Sequence, residues 1–294
     1  MNGFLIAAFQ MALCLAPMAM GIFITMKVFN IPDITTDGSY TLGAAVTAVL
    51  ISNDCPIGLV WPISMCCGAL AGMFTGIIHT KLKVDALLSG ILVMTSLYSI
   101  NLMIMGRSNI PLINVSTLFN ALSFFQNEMF DTLFVSLVVV LVFLAIIIYL
   151  LKTDFGIAMR ASGNNPIMSK ALGINNDKIK IIGLAMANAL TAMSGFLVSQ
   201  YQGFSDVNMG IGIVITGLGS VLIADAFKIW FGIKKISTQL VWVILGCLLF
   251  ELILAFTLSI GFHPNLLKMC TAIFVLLIVA LPKITESFSK KIKS

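Results

Sequence analysis

Apolar residues run along this chain in long blocks separated by short polar links. With about 20 apolar residues needed for one helical crossing of a bilayer, the blocks predict nine spans. They are Phe4–Val28, a short Tyr40–Ile51, Ile57–His79, Val84–Met105, Thr132–Leu151, Ile181–Tyr201, a short glycine-broken Met209–Ala224, Thr238–Ile260 and Leu266–Leu281. The N-terminus MNGFLIAAFQ lacks a basic leader region, and its apolar run exceeds a signal-peptide core, so it reads as a first span rather than a cleaved leader.

The blocks repeat. Spans one to four and six to nine share a rhythm of long, short with glycines, long, long, and each short member follows an acidic link, IPDITTDGS or YQGFSDVNMG. One extra span between the halves places them in opposite orientations. The expected fold is therefore an all-α polytopic membrane protein of about nine helices in an inverted-repeat arrangement, with a short, broken helix in each half. Within one membrane domain, 1–294, the parts are a first half (1–105), an external segment and linking span (106–151), a polar coupling loop (152–180), a second half (181–283) and a basic tail (284–294). Short, glycine-interrupted segments at matching places in two halves point to a transporter's substrate path, because irregular backbone at membrane depth survives only when buried or lining a wet cavity.

Composition agrees. Of 294 residues, 59% are apolar and 10% charged, against roughly a quarter charged in a soluble domain. The net charge of +5 does not point to nucleic acid, since the cations fall at span ends rather than in a patch. With loop 152–180 on the cytoplasmic side, fifteen of the seventeen Lys and Arg residues lie inside, and only Arg107 and Lys268 outside. That puts the N-terminus outside and the C-terminus in the cytoplasm. The six cysteines lie mostly within apolar runs and read as small buried hydrophobes. His79 and His263 sit at span ends without ligand spacing, so no metal is assigned, and no nucleophile–base set for catalysis is visible.

Loop 152–180 is the longest polar interruption and carries five Lys and Arg residues. Within it, Pro166 to Leu172 is an apolar-periodic patch closed by Gly173. A Pro at the first turn and a Gly past the last mark a short helix, suited to docking on a soluble partner. In the two acidic links, Asp33, Asp37 and Ser39 open the first short span, and Asp206 and Asn208 open the second. They either cap short helices or line a solvated path that meets a substrate ammonium. Glu251 lies in mid-span, where a charged side chain costs on the order of 3 kcal/mol; it is either a structural hydrogen-bonding group or a pathway residue. Gly68, Gly72 and Gly76 form one helical stripe for close packing, within the subunit or at a dimer seam.

The segment TDFGIAMRASGNNPIMSKALGINNDKIKIIGLAMANALTAMSGFL resembles the cytoplasmic coupling segment of ABC-importer permeases of the branched-chain amino acid type. The resemblance rests on Thr153, Gly156, Arg160–Ala161, Asn164 and Ala171–Leu172–Gly173–Ile174. The link IPDITTDGSYTLGAAVTAVL is similar to the family's second signature, and the nearest likeness is to permeases paired with aromatic amino-acid-type binding proteins. The resemblance implies that a separate ATP-binding subunit grips the loop through Arg160, Asn164, Pro166, Lys170, Ala171, Leu172, Gly173 and Ile174. It also implies a second permease copy, an extracytoplasmic solute-binding protein, a plasma-membrane location, and ATP and Mg held by the partner with no cofactor on this chain. No G-x-x-x-x-G-K-[ST] motif occurs in the sequence, so ATP hydrolysis of the P-loop kind has to come from a partner. Two other readings stay open: a stand-alone secondary transporter coupled through Glu251, and a permease of the same class for sugars or nucleosides. An intramembrane enzyme or scaffold has no visible constellation in its favour.

Overall fold

The computed structural model describes residues 2–113, 115–121, 128–233, 235–261, 266 and 269–277. Helix α1 (Asn2–Phe23) runs through Pro17 and ends in a π-helical turn, Ile24–Val28. Helices α2 (Thr35–Ser52), α3 (Ile57–Lys81) and α4 (Ala86–Met105) follow. A short strand β1 (Asn109–Pro111) and one turn of helix, α5 (Leu118–Ala121), lead to α6 (Glu128–Lys152). Two short helices, α7 (Asp154–Asn164) and α8 (Pro166–Ala171), precede α9 (Asn176–Gln202). Strand β2 (Phe204–Asp206), α10 (Ile213–Phe231) and α11 (Ile236–Ser259) complete the named elements. Residues 269–277 are helical, so the ninth predicted span is described only in part, and the basic tail lies outside the described residues.

Seven of the described helices are long and apolar enough to cross a membrane: α1 with its π-turn, α3, α4, α6, α9, α10 and α11. The chain is an all-helical multi-pass membrane protein. Its most buried helix, α2, is not among the seven, because its composition is too polar. Fifteen of its 18 residues are buried, so protein rather than lipid surrounds it. The predicted second span, Tyr40–Ile51, is therefore too short. The helix begins at Thr35 because neighbouring helices satisfy its polar first turn. The predicted break inside span seven also moves: α10 is continuous through Gly217 and Gly219, and the irregular backbone lies ahead of it, at 203–212.

Packing follows a two-half scheme. Helices α1 and α9 pack on each other at the centre; α1 also packs along α11, and α9 along α3. Helix α2 lies against α3 and α9, as α10 lies against α11 and α1. Exchanging α1–α2–α3 for α9–α10–α11 leaves these neighbours unchanged. The stripe Gly68, Gly72, Gly76 packs within the subunit: a Cβ at any of the three would overlap α9, at Asn188 and Ala192, at Leu184, and at Ile181 respectively.

The helix ends sort the charges. Gly76 on Ile181, Gly163 on Val28, and an ion pair between Lys27 and Asp225 gather the ends of α1, α3, α7, α9 and α10 at one face. Lys81, Lys152, Arg160, Lys170, Lys178 and Lys228 belong to helices at that face. At the opposite face β1 pairs antiparallel with β2, with Ile110 opposite Ser205. The sequence reading has only irregular links there; three-residue strands carry too little periodicity to be seen.

Candidate functional site

Two features stand out, a two-helix handle on the basic face and a buried polar seam where the irregular links meet. The handle is built by capping. The Asn165 side chain accepts a hydrogen bond from the Met168 N–H at 3.0 Å, Pro166 occupies the first helical position, and Gly173 ends the turn at φ +81°. Beneath it, buried Ser169 donates to Asn176 Oδ1 at 2.8 Å, and Asn176 Nδ2 donates to the Pro166 carbonyl at 2.7 Å. These bonds pin α8 to the start of α9 and turn its other side outward. Ile167, Met168 and Leu172 are 84%, 61% and 69% exposed.

Of the residues predicted for coupling, Asn164, Pro166, Lys170, Ala171, Leu172 and Gly173 are exposed on the handle. Arg160 is half-buried, its Nε donating to the Gly156 carbonyl at 3.3 Å, and Ile174 is half-buried below α8. Ile167 and Met168, within the apolar-periodic patch Pro166 to Leu172 but not singled out by the sequence, are among the handle's most exposed apolar side chains. Helix α7 (Asp154–Asn164) was also unforeseen; it rests on the π-turn, where Asn30 Nδ2 donates to the Gly163 carbonyl at 3.3 Å.

The seam runs through the middle of the bundle. Asp33 accepts from the Thr35 N–H at 2.9 Å and from Asn188 Nδ2 at 2.7 Å. Ser39 donates to Asn188 Oδ1 at 2.7 Å, so Asn188 of α9 clamps both ends of the bend into α2. Thr35 and Thr75 hydroxyls share a 2.8 Å hydrogen bond. Asp37 reaches the other half: its carboxylate accepts from the N–H groups of Gly212 and Val214, each at 2.9 Å. Gly212 is the N-cap of α10 and offers no side chain, so Asp37 of α2 caps α10. The positive end of the α10 dipole faces that carboxylate.

The predicted pathway residues thus separate. Asp33, Asp37 and Ser39 are buried with their polar atoms committed to protein partners. Asp206 and Asn208 stand near the opposite face from the handle. Asp206 Oδ1 accepts from the Asn208 N–H at 2.8 Å, and its Oδ2 accepts from Asn109 Nδ2 at 3.4 Å. Both residues border a concavity of about 350 Å³. Glu251 is buried in α11 and shares no bond with the seam.

An all-helical membrane bundle of two packed halves, with irregular links meeting in a buried polar seam between them, is an architecture that transporter subunits use. The family model for the permease component of branched-chain amino acid transport systems matches residues 4–281, and the chain belongs to that family. It is similar to the tyrosine transport system permease protein of Clostridioides difficile, 39% identical over 97% of this chain and 94% of that one. An uncharacterized protein of Rickettsia prowazekii is 31% identical over 92% of this chain and 94% of its own. A probable branched-chain amino acid transport permease of Methanocaldococcus jannaschii is 26% identical over 76% and 72%. No solved structure matches the chain at a significant level.

Proposed function

We propose that this chain is the membrane subunit of an ATP-driven importer for an amino acid, aromatic or branched-chain. A separate ATPase subunit holds ATP and Mg and grips the handle. A solute-binding protein delivers substrate to the opposite face, and a second permease copy completes the pore. The basic face is cytoplasmic, with the N-terminus outside and the C-terminus inside. The observation that carries this reading is the handle: three large apolar side chains, Ile167, Met168 and Leu172, held outward by the Ser169 and Asn176 hydrogen bonds. A surface of this kind on a small helix fits a groove of another protein. ATP-driven closure of the ATPase pair displaces the handle, and α7 passes the movement to the π-turn and the bend into α2.

The test is co-purification of the chain with an ATP-binding subunit from the same cells, followed by uptake of labelled tyrosine in reconstituted vesicles. Leu172→Asp is expected to lose the ATPase subunit and ATP-dependent uptake together. Uptake by the chain alone, driven by an ion gradient and abolished by Glu251→Gln, would instead establish the secondary-transporter reading.

A further inference from the structure

The concavity bordered by Asp206 and Asn208 has the makings of a ligand site. It lies where α1, α2 and the 203–212 link meet, near the face opposite the handle. Met11, on its wall, is nine residues into α1, so the hollow reaches roughly 13 Å below the start of that helix. Its volume of about 350 Å³ falls within the ~300–1,000 Å³ range of small-molecule pockets. The chemistry of the walls divides in two. Met11, Phe204 and Met209 supply an apolar side, and Gln202, Asp206 and Asn208 supply a polar one. Among the described residues no lysine or arginine borders it, and the Asp206 carboxylate is the one charged group on that lining. The turn fixes that carboxylate in place: one oxygen holds the Asn208 N–H, and among the described residues the other has a long 3.4 Å contact from Asn109.

We propose that this hollow binds a zwitterionic amino acid with a large apolar or aromatic side chain; this rests on the importer reading above and names the substrate class of its outer mouth. The ammonium donates to Asp206, a charge-assisted contact. The carboxylate accepts from the amide groups of Asn208 and Gln202. The side chain lies between Phe204 and the two methionine thioethers, which suit an aromatic ring. The floor connects to the seam, because Ile213, also on the wall, sits between Gly212 and Val214, whose N–H groups Asp37 holds. An occupant therefore presses on the link that Asp37 latches.

The experiment is equilibrium binding to the full chain in nanodiscs, with L-phenylalanine, L-tyrosine and 3-phenylpropionate, which lacks the ammonium, as probes. Saturable binding of the two amino acids and none of 3-phenylpropionate is expected. Asp206→Asn keeps the turn, since its amide oxygen still accepts from Asn208, and is expected to weaken binding about tenfold or more. Met209→Trp, which fills the hollow, is expected to abolish it. Unchanged binding in both variants, or equal binding of 3-phenylpropionate, overturns the site. So does an absence of binding to the wild-type chain when the assembled importer takes up tyrosine, a result that leaves the importer reading standing. An assembled complex that carries no amino acid at all sinks that reading instead.

Discussion

Removing the Asp37 carboxylate leaves two part-buried backbone N–H groups at the head of α10 without their acceptor. Charge-assisted bonds of this type contribute about 1.5–3 kcal/mol each, and an orphaned donor adds its own desolvation cost. Asp37→Ala is expected to destabilise the bundle by about 3 kcal/mol, read as a lower midpoint of thermal unfolding in detergent. Asp37→Asn, with one oxygen left to accept, falls between. Asn188 makes a complementary case. Asn188→Leu removes one of the two bonds to the buried Asp33 carboxylate together with the Ser39 bond and costs about 3 kcal/mol, whereas Thr75→Val removes only neutral bonds, to the Thr35 hydroxyl and the Ala71 carbonyl, and costs about 1 kcal/mol. Near-equal losses in the two variants would show that Asp33 has no need of Asn188. The sequence carried a signal for Asn188, an amide in mid-span, where polar side chains face the bundle interior; beside the acidic links it was overlooked. That Asp37 caps a helix 175 residues away was not legible, because a capping pattern is read only within a few residues of the helix it serves.

Among the elements, the handle gives the sharpest separation of stability from function. Ile167 and Leu172 point away from the bundle, so Ile167→Asp and Leu172→Asp are expected to leave the unfolding midpoint within about 0.5 kcal/mol of the parent while ATPase co-purification is lost. Ser169→Ala should behave differently, since it removes the pin to Asn176 and frees α8 locally. Hydrogen exchange of the Met168 and Ile174 amides reads that change. The handle was partly legible because proline, asparagine and glycine punctuate it, each for a local backbone reason. Helix α7 was not, since Gly156 and Gly163 read as loop residues. The structure uses them for contact: a Cβ at either would overlap backbone, of Leu151 and of Val28. The length of α2 was misjudged for a related reason. Hydropathy counts Thr35, Thr36, Asp37 and Ser39 as breaks, whereas α3, α9 and α10 supply partners to Thr35, Ser39 and Asp37, and Thr36 bonds back to the Asp33 carbonyl.

For the whole molecule, the all-helical multi-pass plan was legible because lipid demands long apolar blocks whatever the local detail. Its sidedness makes a direct prediction. In a chain cleared of its native cysteines, Leu172→Cys should react with an impermeant thiol reagent only from the cytoplasm, and Asn208→Cys only from outside. The reverse pattern would overturn the orientation and with it the docking of an ATPase on the handle. The ion pair of Lys27 with Asp225 also belongs to this scale, since it ties the end of the first half's leading helix to α10 of the second. Sequence spacing offered no way to pair them.

At Gly163 the handle meets the π-turn backbone against backbone, with no side chain between it and the Val28 carbonyl. No rotamer is available there to take up slack. A displacement imposed on α7 is therefore expected to bear directly on Val28 and the strip of chain leading to Asp33. A single methyl group at residue 163 would overlap the Val28 carbonyl and force the two backbones apart.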